Sequence, residues 1–423
     1  MLDPNRNFSP NFPNRGNFTP PKDDSKKLFW FWSVVGVLVL GFFIWWLAFA
    51  DKEKRQGQLI EIDNSENSKE YPLANQGNVS PITGLACENW NRRPIAVMQP
   101  ADIQARPAAG FSHADMVIEM PAYTGSVTRL MGVYLCNTPT DIGSMRSSRH
   151  DYIHLAKGLD AVFIHWGGSH FALDLLKEKV IDSFDCMTTS YCGRWPMTGK
   201  MRLEDTGHIK GETAFTAVKE LGFRTENTFS GYPHQGEAPL EKRPEKGRLR
   251  VAFAQPYDVS YDYDKASNSY LRIWNGKEDF DKNNDQRIAP KNIVVMVAES
   301  SQITIDQDYL GKGLKDPWAN VEEIKKTGRE SISGRYNNMQ IGDPWYDEKD
   351  SGQAYFYFNG EEIKGTWKKD RGNMASKLLF LDSSGNEIKF VPGQIWIEII
   401  EPGQSLKWKT GAELEEDAKS EEE

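Results

Sequence analysis

The chain has 423 residues, of which 39% are hydrophobic and 12% aromatic, as in ordinary folded proteins. Single hydrophobic cores stop growing at about 250 to 300 residues, so this length predicts two domains besides any anchor. The formal net charge is −9, but residues 413–423 carry seven acidic side chains against Lys419, which is −6 and leaves −3 for the rest. A mildly acidic body offers no general attraction to phosphate backbones, which argues against nucleic acid as a partner.

An uncharged apolar segment lies near the N-terminus. Residues Leu28–Ala50 form a run of 23 residues without a charged side chain, and a helix of this length spans the roughly 30 Å hydrocarbon core of a bilayer. Trp30 and Trp46 lie near its ends, as in interfacial aromatic belts. A cleaved signal peptide is disfavoured because its apolar stretch is shorter. We therefore predict a single-pass protein of the cytoplasmic membrane.

A slight excess of basic residues before the segment favours an N-terminus inside and globular domains outside.

Composition divides the chain into seven parts. The segments on either side of the apolar run have no helical or strand period. A stretch rich in Pro, Gly and charge, beginning at Tyr232, separates two globular regions. The predicted parts are a disordered tail (1–27), a transmembrane helix (28–50), a stalk (51–78), an α/β domain (79–231), a linker (232–248), a mostly-β domain (249–404) and an acidic disordered tail (405–423).

Strand-like and helix-like patterns alternate in the first globular region, which predicts a mixed sheet with covering helices. The expected strands are Pro94–Met98, Asp115–Met120, Thr128–Leu135 and Leu159–Ile164. The expected helices are Ser148–Lys157, Phe171–Lys179 and Thr213–Leu221. In the second region, period-two runs joined by turns such as Asn359-Gly360 predict hairpins and a mostly-β fold. Its expected strands include Asp258–Asp264, Tyr270–Trp274, Ile293–Ala298, Ala354–Phe358, Ile363–Trp367, Lys377–Leu381 and Ile395–Ile400.

All four cysteines follow the apolar segment, and an even count in an exported domain is compatible with two disulfides. Cys186 and Cys192 are the favoured pair because they close a short loop. Unpaired thiols remain the alternative, since connectivity cannot be deduced from sequence. The chain has no CxxC spacing, and no zinc site or other metal site is predicted.

Three arginines form the most informative group in the first region. Arg129 lies at the start of one expected strand, and Arg146 and Arg149 follow in the segment Gly143–His150. Guanidinium groups gathered near one sheet edge, with serines beside a helix start, can bind a phosphate or carboxylate bidentately. The alternative is structural: the arginines pair with Asp115, Glu119 or a neighbouring acid and brace the loop.

A second group is the sequence from Ile164 to His170, in which a buried strand is followed by Gly167-Gly168. Glycines at the carboxyl end of a strand allow a ligand to approach the backbone. His165 and Ser169 are therefore candidate contacts to an anion, and His165 could act as a general base. The alternative is that His165 is a core side chain whose hydrogen bonds are satisfied. Gly168-Ser169-His170 lacks the second glycine of a serine hydrolase motif.

The acidic run Asp279, Asp281, Asn283 and Asp285 is similar to a calcium-binding loop in its spacing. It lacks the turn glycine and the terminal bidentate Glu that such loops require. We therefore expect a surface turn.

Several motifs of this chain resemble those of the YerB-like family of bacterial envelope lipoproteins. They are Pro81–Leu85, Asn91–Met98, Ala105–Pro107, Ala114-Asp115, Thr128-Arg129, Arg146–Arg149, His165–Ser169, Gly365–Lys368 and Pro392–Ile397. The resemblance runs in the same order from about residue 80 to residue 401. It implies two tandem domains on the outer side of the cytoplasmic membrane and no established activity. This chain departs from the lipoprotein members in having an apolar segment where they carry a lipidated cysteine.

The segment Ser144–Arg149, followed by a strand and a Gly-Gly pair, also resembles the arginine-bearing core of the LytR-CpsA-Psr phosphotransferases. That resemblance implies an activity on polyprenyl-pyrophosphate-linked polymers. Arg129, Arg146 and Arg149 would hold the pyrophosphate, and Asp115 would hold a magnesium ion. The later arginine-rich strand of those enzymes has no counterpart between Thr213 and Glu226.

Three functional hypotheses result. The first is a membrane-tethered protein that binds an anionic envelope ligand, such as a cell-wall precursor, without a cofactor. The second is a phosphotransferase, which alone would need Mg²⁺. The third is a scaffold or interaction protein without a ligand, in which the arginines are paired with acidic side chains.

Overall fold

The computed structural model describes residues 71–73, 77–123, 127–199, 201–302 and 337–422. The predicted N-terminal tail, the transmembrane helix Leu28–Ala50 and most of the stalk lie outside these ranges. Within the ranges, no helix is both long enough and apolar enough to cross a bilayer.

The N-terminal half of the described chain contains strands and three α-helices. Its strands are β1 (Ile95–Pro100), β2 (Met116–Tyr123), β3 (Val127–Tyr134), β4 (Asp141–Gly143), β5 (Val162–His165), β6 (Ser183–Asp185), β7 (Cys192–Arg194) and β8 (Gly207–Lys210). Its helices are α1 (His150–Gly158), α2 (His170–Lys177) and α3 (Gly211–Glu220). Each expected strand and helix of this half overlaps an observed one.

The described part of the C-terminal half, residues 247–302 and 337–422, is built almost entirely of strands. They are β9 (Gly247–Val251), β10 (Val259–Asp264), β11 (Ser269–Trp274), β12 (Lys277–Glu278), β13 (Asn292–Val297), β14 (Ser300–Gln302), β15 (Asn337–Met339), β16 (Ser351–Phe358), β17 (Glu361–Lys368), β18 (Leu379–Asp382), β19 (Ile395–Ile400) and β20 (Leu406–Thr410). A final helix, α4 (Gly411–Glu422), follows.

Ten strands form one mixed sheet in the order β18-β17-β16-β13-β19-β2-β3-β1-β5-β6. The two halves of the chain meet inside this sheet, because β19 pairs in parallel with β2 and places Ile395 opposite Met116. The expected mixed sheet is confirmed, but it takes strands from both halves. Periodicity along the sequence predicts single strands and contains no information on which distant strands pair.

The ten-stranded sheet is covered on both faces. Side chains alternate along a strand, so Ala96 and Met98 of β1 lie in one core while Ile95 and Val97 lie in the other. Helices α1 and α2 contribute to the first core. Helix α3 and the five-stranded sheet β12-β11-β10-β9-β20 contribute to the second.

The C-terminal tail differs from the prediction. Residues 405–423 were expected to be disordered, but β20 pairs with β9 and α4 follows it. Trp408 packs against the second core, which provides the apolar contact that the charge pattern did not reveal. The helix begins at a capping arrangement in which the backbone N–H and Oγ1 of Thr410 donate to Glu413 at 2.7 and 2.8 Å. Acidic residues in a first turn also interact favourably with the helix dipole.

The acidic run at residues 279–285 is not the expected surface turn. Asp281 is fully buried. Its carboxylate accepts hydrogen bonds from the backbone N–H groups of Gly110 and Ser112, the latter at 2.7 Å, and from Ser112 Oγ at 2.8 Å. The run thus ties the C-terminal half to the short 3-10 helix Phe111–His113 of the N-terminal half.

The structure contains two disulfides. Cys186–Cys192, the pair that the sequence favours, joins the segment after β6 to β7. Cys87–Cys136, which the sequence did not assign, joins the segment before β1 to the segment after β3.

Candidate anion-binding site

The carboxyl ends of the parallel strands β1 and β5 hold the segment that carries Arg146. The backbone N–H of Arg146 donates to Met98 O at 2.8 Å, and the N–H of Trp166 donates to Arg146 O at 3.1 Å. Arg129 of β3 lies opposite Pro100, the last residue of β1. Two of the three predicted arginines therefore lie at one edge of the sheet, where ligands collect in open α/β sheets.

The guanidinium of Arg146 is held by acidic groups. Its Nη2 pairs with Asp205 Oδ1 and lies 3.3 Å from Asp102 Oδ2 and 3.7 Å from Glu204 Oε1. Its Nη1 donates to the backbone carbonyl of Glu204. The Arg146 side chain is 9% exposed and that of Asp205 is fully buried, so this ion pair is part of the protein interior.

A third guanidinium at this site belongs to Arg202, which the sequence analysis missed. Its Nε donates to Asp205 Oδ2 at 2.8 Å, and its Nη1 lies 2.9 Å from Glu204 Oε1. The short 3-10 helix Leu203–Asp205 brings these groups together. Burial opposes ionisation of Asp205, but the hydrogen bond from Arg202 and the charge of Arg146 lower the pKa of Asp205. The only sequence signal was the i,i+3 spacing of Arg202 and Asp205, which is common on protein surfaces.

Arg129 adds positive charge at the same edge. It is 5% exposed. Burial and the neighbouring charge of Arg146 lower the pKa of Arg129 to about 10, while Asp102 acts in the opposite direction. Arg129 and Arg146 therefore repel each other in a partly desolvated environment. We refer to Arg129, Arg146 and Arg202, with the acids Asp102, Glu204 and Asp205, as the arginine cluster.

The structure places Arg149 at the N-terminal end of α1. Its Nη1 donates to the carbonyl oxygens of Ser148 at 2.6 Å and Ser147 at 3.4 Å. A role for Arg149 in anion binding stays a prediction, whereas Arg202 shares the Asp205 carboxylate with Arg146.

His165 is the last residue of β5 and Ser169 follows the strand; both make local contacts. His165 is 2% exposed, and its Nδ1 lies 2.8 Å from Gly167 O. Burial lowers the pKa of His165, and the nearby carboxylate of Asp185 opposes this. Ser169 Oγ accepts a hydrogen bond from the N–H of Ala172 at 3.3 Å and so caps α2. A role for either residue in ligand binding stays a prediction.

The expected acidic partners, Asp115 and Glu119, are not the carboxylates that hold Arg146. Asp115 accepts hydrogen bonds from the N–H groups of Leu135 at 2.8 Å and Cys136 at 3.1 Å, and burial raises its pKa to about 6. Glu119 is fully buried and pairs with Arg272 of β11, at 2.6 Å. Sequence proximity suggested these partners, but Asp115 accepts from backbone N–H groups and Glu119 pairs with Arg272. Within the described ranges, no group of three or more His, Cys, Asp and Glu side chains could hold a metal ion.

Comparison with known proteins places this chain in a family. Residues 82–227 match the family described as "Protein of unknown function (DUF3048) N-terminal domain", and residues 249–397 match its C-terminal domain. The chain belongs to the DUF3048 family. The expected membership in a YerB-like, two-domain family is thereby confirmed. All residues of the arginine cluster lie within the N-terminal family domain.

A curated relative supports the family membership, and a solved structure has a similar fold. The chain is 25% identical over 326 residues to the Bacillus subtilis (strain 168) protein "Putative lipoprotein YerB", covering 76% of this chain and 86% of that protein. The crystal structure of the Bacillus subtilis YerB protein is similar in fold, with a TM-score of 0.61 and 24% sequence identity. That likeness covers 78% of this chain and 99% of the YerB chain.

Proposed function

We propose that this chain is a membrane-anchored extracytoplasmic protein that binds a phosphate-bearing envelope ligand, such as a cell-wall precursor, at the arginine cluster. The observation that carries the proposal is the convergence of Arg129, Arg146 and Arg202 at the carboxyl edge of β1. Bidentate arginine forks match the oxygens of phosphate groups.

The carboxylates at the cluster differ in how readily a ligand could replace them. Asp205 is fully buried and bridges Arg146 and Arg202. Glu204 and Asp102 have 61% and 24% of their side chains exposed, and they lie 3.7 and 3.3 Å from Arg146. Exposed ion pairs contribute little to stability. An incoming phosphate would therefore replace Glu204 and Asp102, while Asp205 would keep the guanidiniums in place.

Three observations support a location outside the cytoplasm. Leu28–Ala50 has the length and composition of a membrane span. The described cysteines form two disulfides, which persist in oxidising compartments. The Bacillus subtilis relative is named as a lipoprotein.

The proposal is tested by titrating the detergent-solubilised full chain with inorganic pyrophosphate and undecaprenyl pyrophosphate in a calorimeter. We compare the parent with Arg202→Gln and with Arg248→Gln as the matched control. Arg248 pairs with Asp262 on the five-stranded sheet, and its side chain is 51% exposed, similar to Arg202. We expect binding that weakens with salt, falls about tenfold or more in Arg202→Gln, and is unchanged in Arg248→Gln. No binding, or equal binding by all three proteins, would refute the proposal.

A phosphotransferase activity is the second candidate, and Asp102 is the observation in its favour. This partly exposed acid lies beside two guanidiniums, as an acid that holds a magnesium ion on a pyrophosphate would. Adding Mg²⁺ to the same mixtures, with a polymer acceptor, and measuring release of undecaprenyl phosphate distinguishes transfer from binding alone.

A further inference from the structure

A pocket lies between the segment after β1 and the β11–β12 hairpin. It has a volume of about 560 Å³, and its wall includes Arg106, Trp274, Lys277 and Phe280. Arg106 comes from the N-terminal half and the others come from the C-terminal half. None of these residues is used by the proposed function.

Arg106 is a buried cation with unused hydrogen-bonding capacity. Its side chain is 9% exposed, and its Nη1 lies 3.2 Å from Asp279 Oδ2. Asp279 also pairs with Arg272, so Arg106 shares this carboxylate with a second guanidinium. Within the part of the chain that the structure describes, Nε and Nη2 of Arg106 are buried and have no hydrogen-bond partner. Buried donors without acceptors are rare and costly.

The two unused nitrogens of Arg106 are a matched pair. In a planar guanidinium, the Nε–H and one Nη–H bond are parallel, and together they fit the two oxygens of a carboxylate. The indole Nε1 of Trp274 is another buried donor without a partner in the described residues. The Arg106 guanidinium carbon lies 5.1 Å from the centroid of the Trp274 ring. Three donors thus lie close together in one wall.

Two apolar side chains of the wall are partly exposed. Phe280 is 37% exposed and Ile103 is 48% exposed, and both line the pocket. Exposed side chains change rotamer within picoseconds to nanoseconds, so these two can move to admit a ligand group to the buried donors. Lys277 adds a positive charge at the rim, while the acid Glu278 is already paired with Arg287.

We infer that this pocket binds a small organic carboxylate with an apolar substituent. The carboxylate accepts from Arg106 Nε and Nη2 and from the Trp274 indole N–H, and the substituent packs against Ile103 and Phe280. Burial lowers the pKa of Arg106, and Asp279 opposes this only in part, so an additional anion beside the guanidinium is electrostatically favourable.

The inference is tested with 4-phenylbutyrate and its neutral amide as probes, added to the detergent-solubilised full chain. The readouts are calorimetric affinity and the ¹⁵N–¹H resonance of the Trp274 indole, which is assigned by its loss in Trp274→Phe. We expect the acid to bind at least about tenfold more tightly than the amide and to shift the Trp274 resonance. Arg248→Gln, which changes a cation outside this pocket, should retain this preference for the acid.

Two variants separate binding from folding. Arg106→Gln should bind acid and amide alike, but removal of a buried cation could also unfold the protein. Trp274→Phe keeps an aromatic ring in the wall and removes one donor, so it should fold and bind the acid several-fold more weakly. Equal affinities of the parent for acid and amide, no binding at about 10 mM of either probe, or full affinity in Trp274→Phe would overturn the inference. A result in either direction is independent of the pyrophosphate titration, because Arg202→Gln leaves this pocket intact.

Discussion

Glu119 and Glu398 lie directly opposite each other on the parallel strands β2 and β19, where the two halves of the chain join. Both side chains are fully buried. Glu119 Oε2 pairs with Arg272 Nη2 at 2.6 Å, and Glu398 Oε1 accepts a hydrogen bond from Tyr261 Oη. Burial, and then the neighbouring charge of Glu119, raise the pKa of Glu398 to about 8. Burial also raises the pKa of Glu119, and the charge of Arg272 opposes this. The seam between the halves thus contains two buried carboxyl groups, of which Glu398 holds a proton at neutral pH.

This arrangement predicts that the protein loses stability as the pH rises. A carboxyl whose folded-state pKa is raised binds its proton more tightly in the folded chain than in the unfolded one. The contribution of Glu398 to the free energy of unfolding is fully present below pH about 4.5, which is the ordinary pKa of a Glu side chain. This contribution is lost progressively as the pH rises to about 8. The loss is on the order of a few kcal/mol. Urea unfolding between pH about 6 and about 9 measures it.

Glu398→Gln is the matched control for this prediction. Gln is similar in shape to a protonated Glu and can still accept the hydrogen bond from Tyr261. The variant should show a flatter dependence of unfolding free energy on pH and should exceed the parent in stability at pH about 9. An equal decline in both proteins would show that Glu398 is not the titrating group.

Asp281→Ala should weaken the contact between the halves. The Asp281 carboxylate accepts hydrogen bonds from Gly110 N, Ser112 N and Ser112 Oγ at distances from 2.7 to 3.1 Å. Removing it leaves buried donors unpaired, at a cost of about 3 kcal/mol or more in unfolding free energy. Asp262→Ala, which breaks a partly exposed pair with Arg248, should cost at most about 1 kcal/mol. Similar losses in both variants would contradict a special role for Asp281.

The disulfides should contribute unequally to stability. Cys87–Cys136 spans 49 positions and Cys186–Cys192 spans 6. In the chain-entropy account, the longer loop contributes about 4 kcal/mol and the shorter about 2 kcal/mol. Replacing each pair by Ser and measuring thermal unfolding tests this order. Maleimide labelling of the denatured, unreduced protein should find no free thiol; labelling at all four cysteines would place the chain in a reducing compartment.

The sequence was informative where local pattern decides structure. An apolar run predicted Thr128–Leu135 as a strand, and a period-two pattern predicted Ile395–Ile400, because a buried strand needs apolar residues whatever it pairs with. The tail was predicted wrongly because its charge is concentrated after residue 412, whereas the residue that orders it is the earlier Trp408. The composition of a segment does not reveal that a single residue in it packs against a core.

The candidate site was only partly predictable. Arg129 and Arg146 flank neighbouring strand ends, so their common location follows from α/β topology. Arg202 lies in an irregular segment, more than fifty positions after Arg146 in the chain. No periodic pattern in the sequence predicts that these two residues share the Asp205 carboxylate. For the same reason Arg272 was not expected beside Glu119, from which it is 153 positions distant. Long-range pairing of polar groups depends on the completed fold.

Arg146 and Arg202 should respond differently to substitution, although both contact Asp205. Arg146 is 9% exposed and Arg202 is 45% exposed. Arg146→Gln leaves the fully buried carboxylate of Asp205 with one cation fewer inside the protein, and breaking a buried pair costs about 3 to 5 kcal/mol. Arg202→Gln removes a half-exposed partner and should cost about 1 kcal/mol or less. Urea unfolding of both variants measures the difference.

Arg146→Gln combined with Asp205→Asn should recover part of the lost stability, because the second change removes the uncompensated charge. If Arg202→Gln were as destabilising as Arg146→Gln, the cluster would be a structural brace throughout, and the anion-binding role would lose its main support.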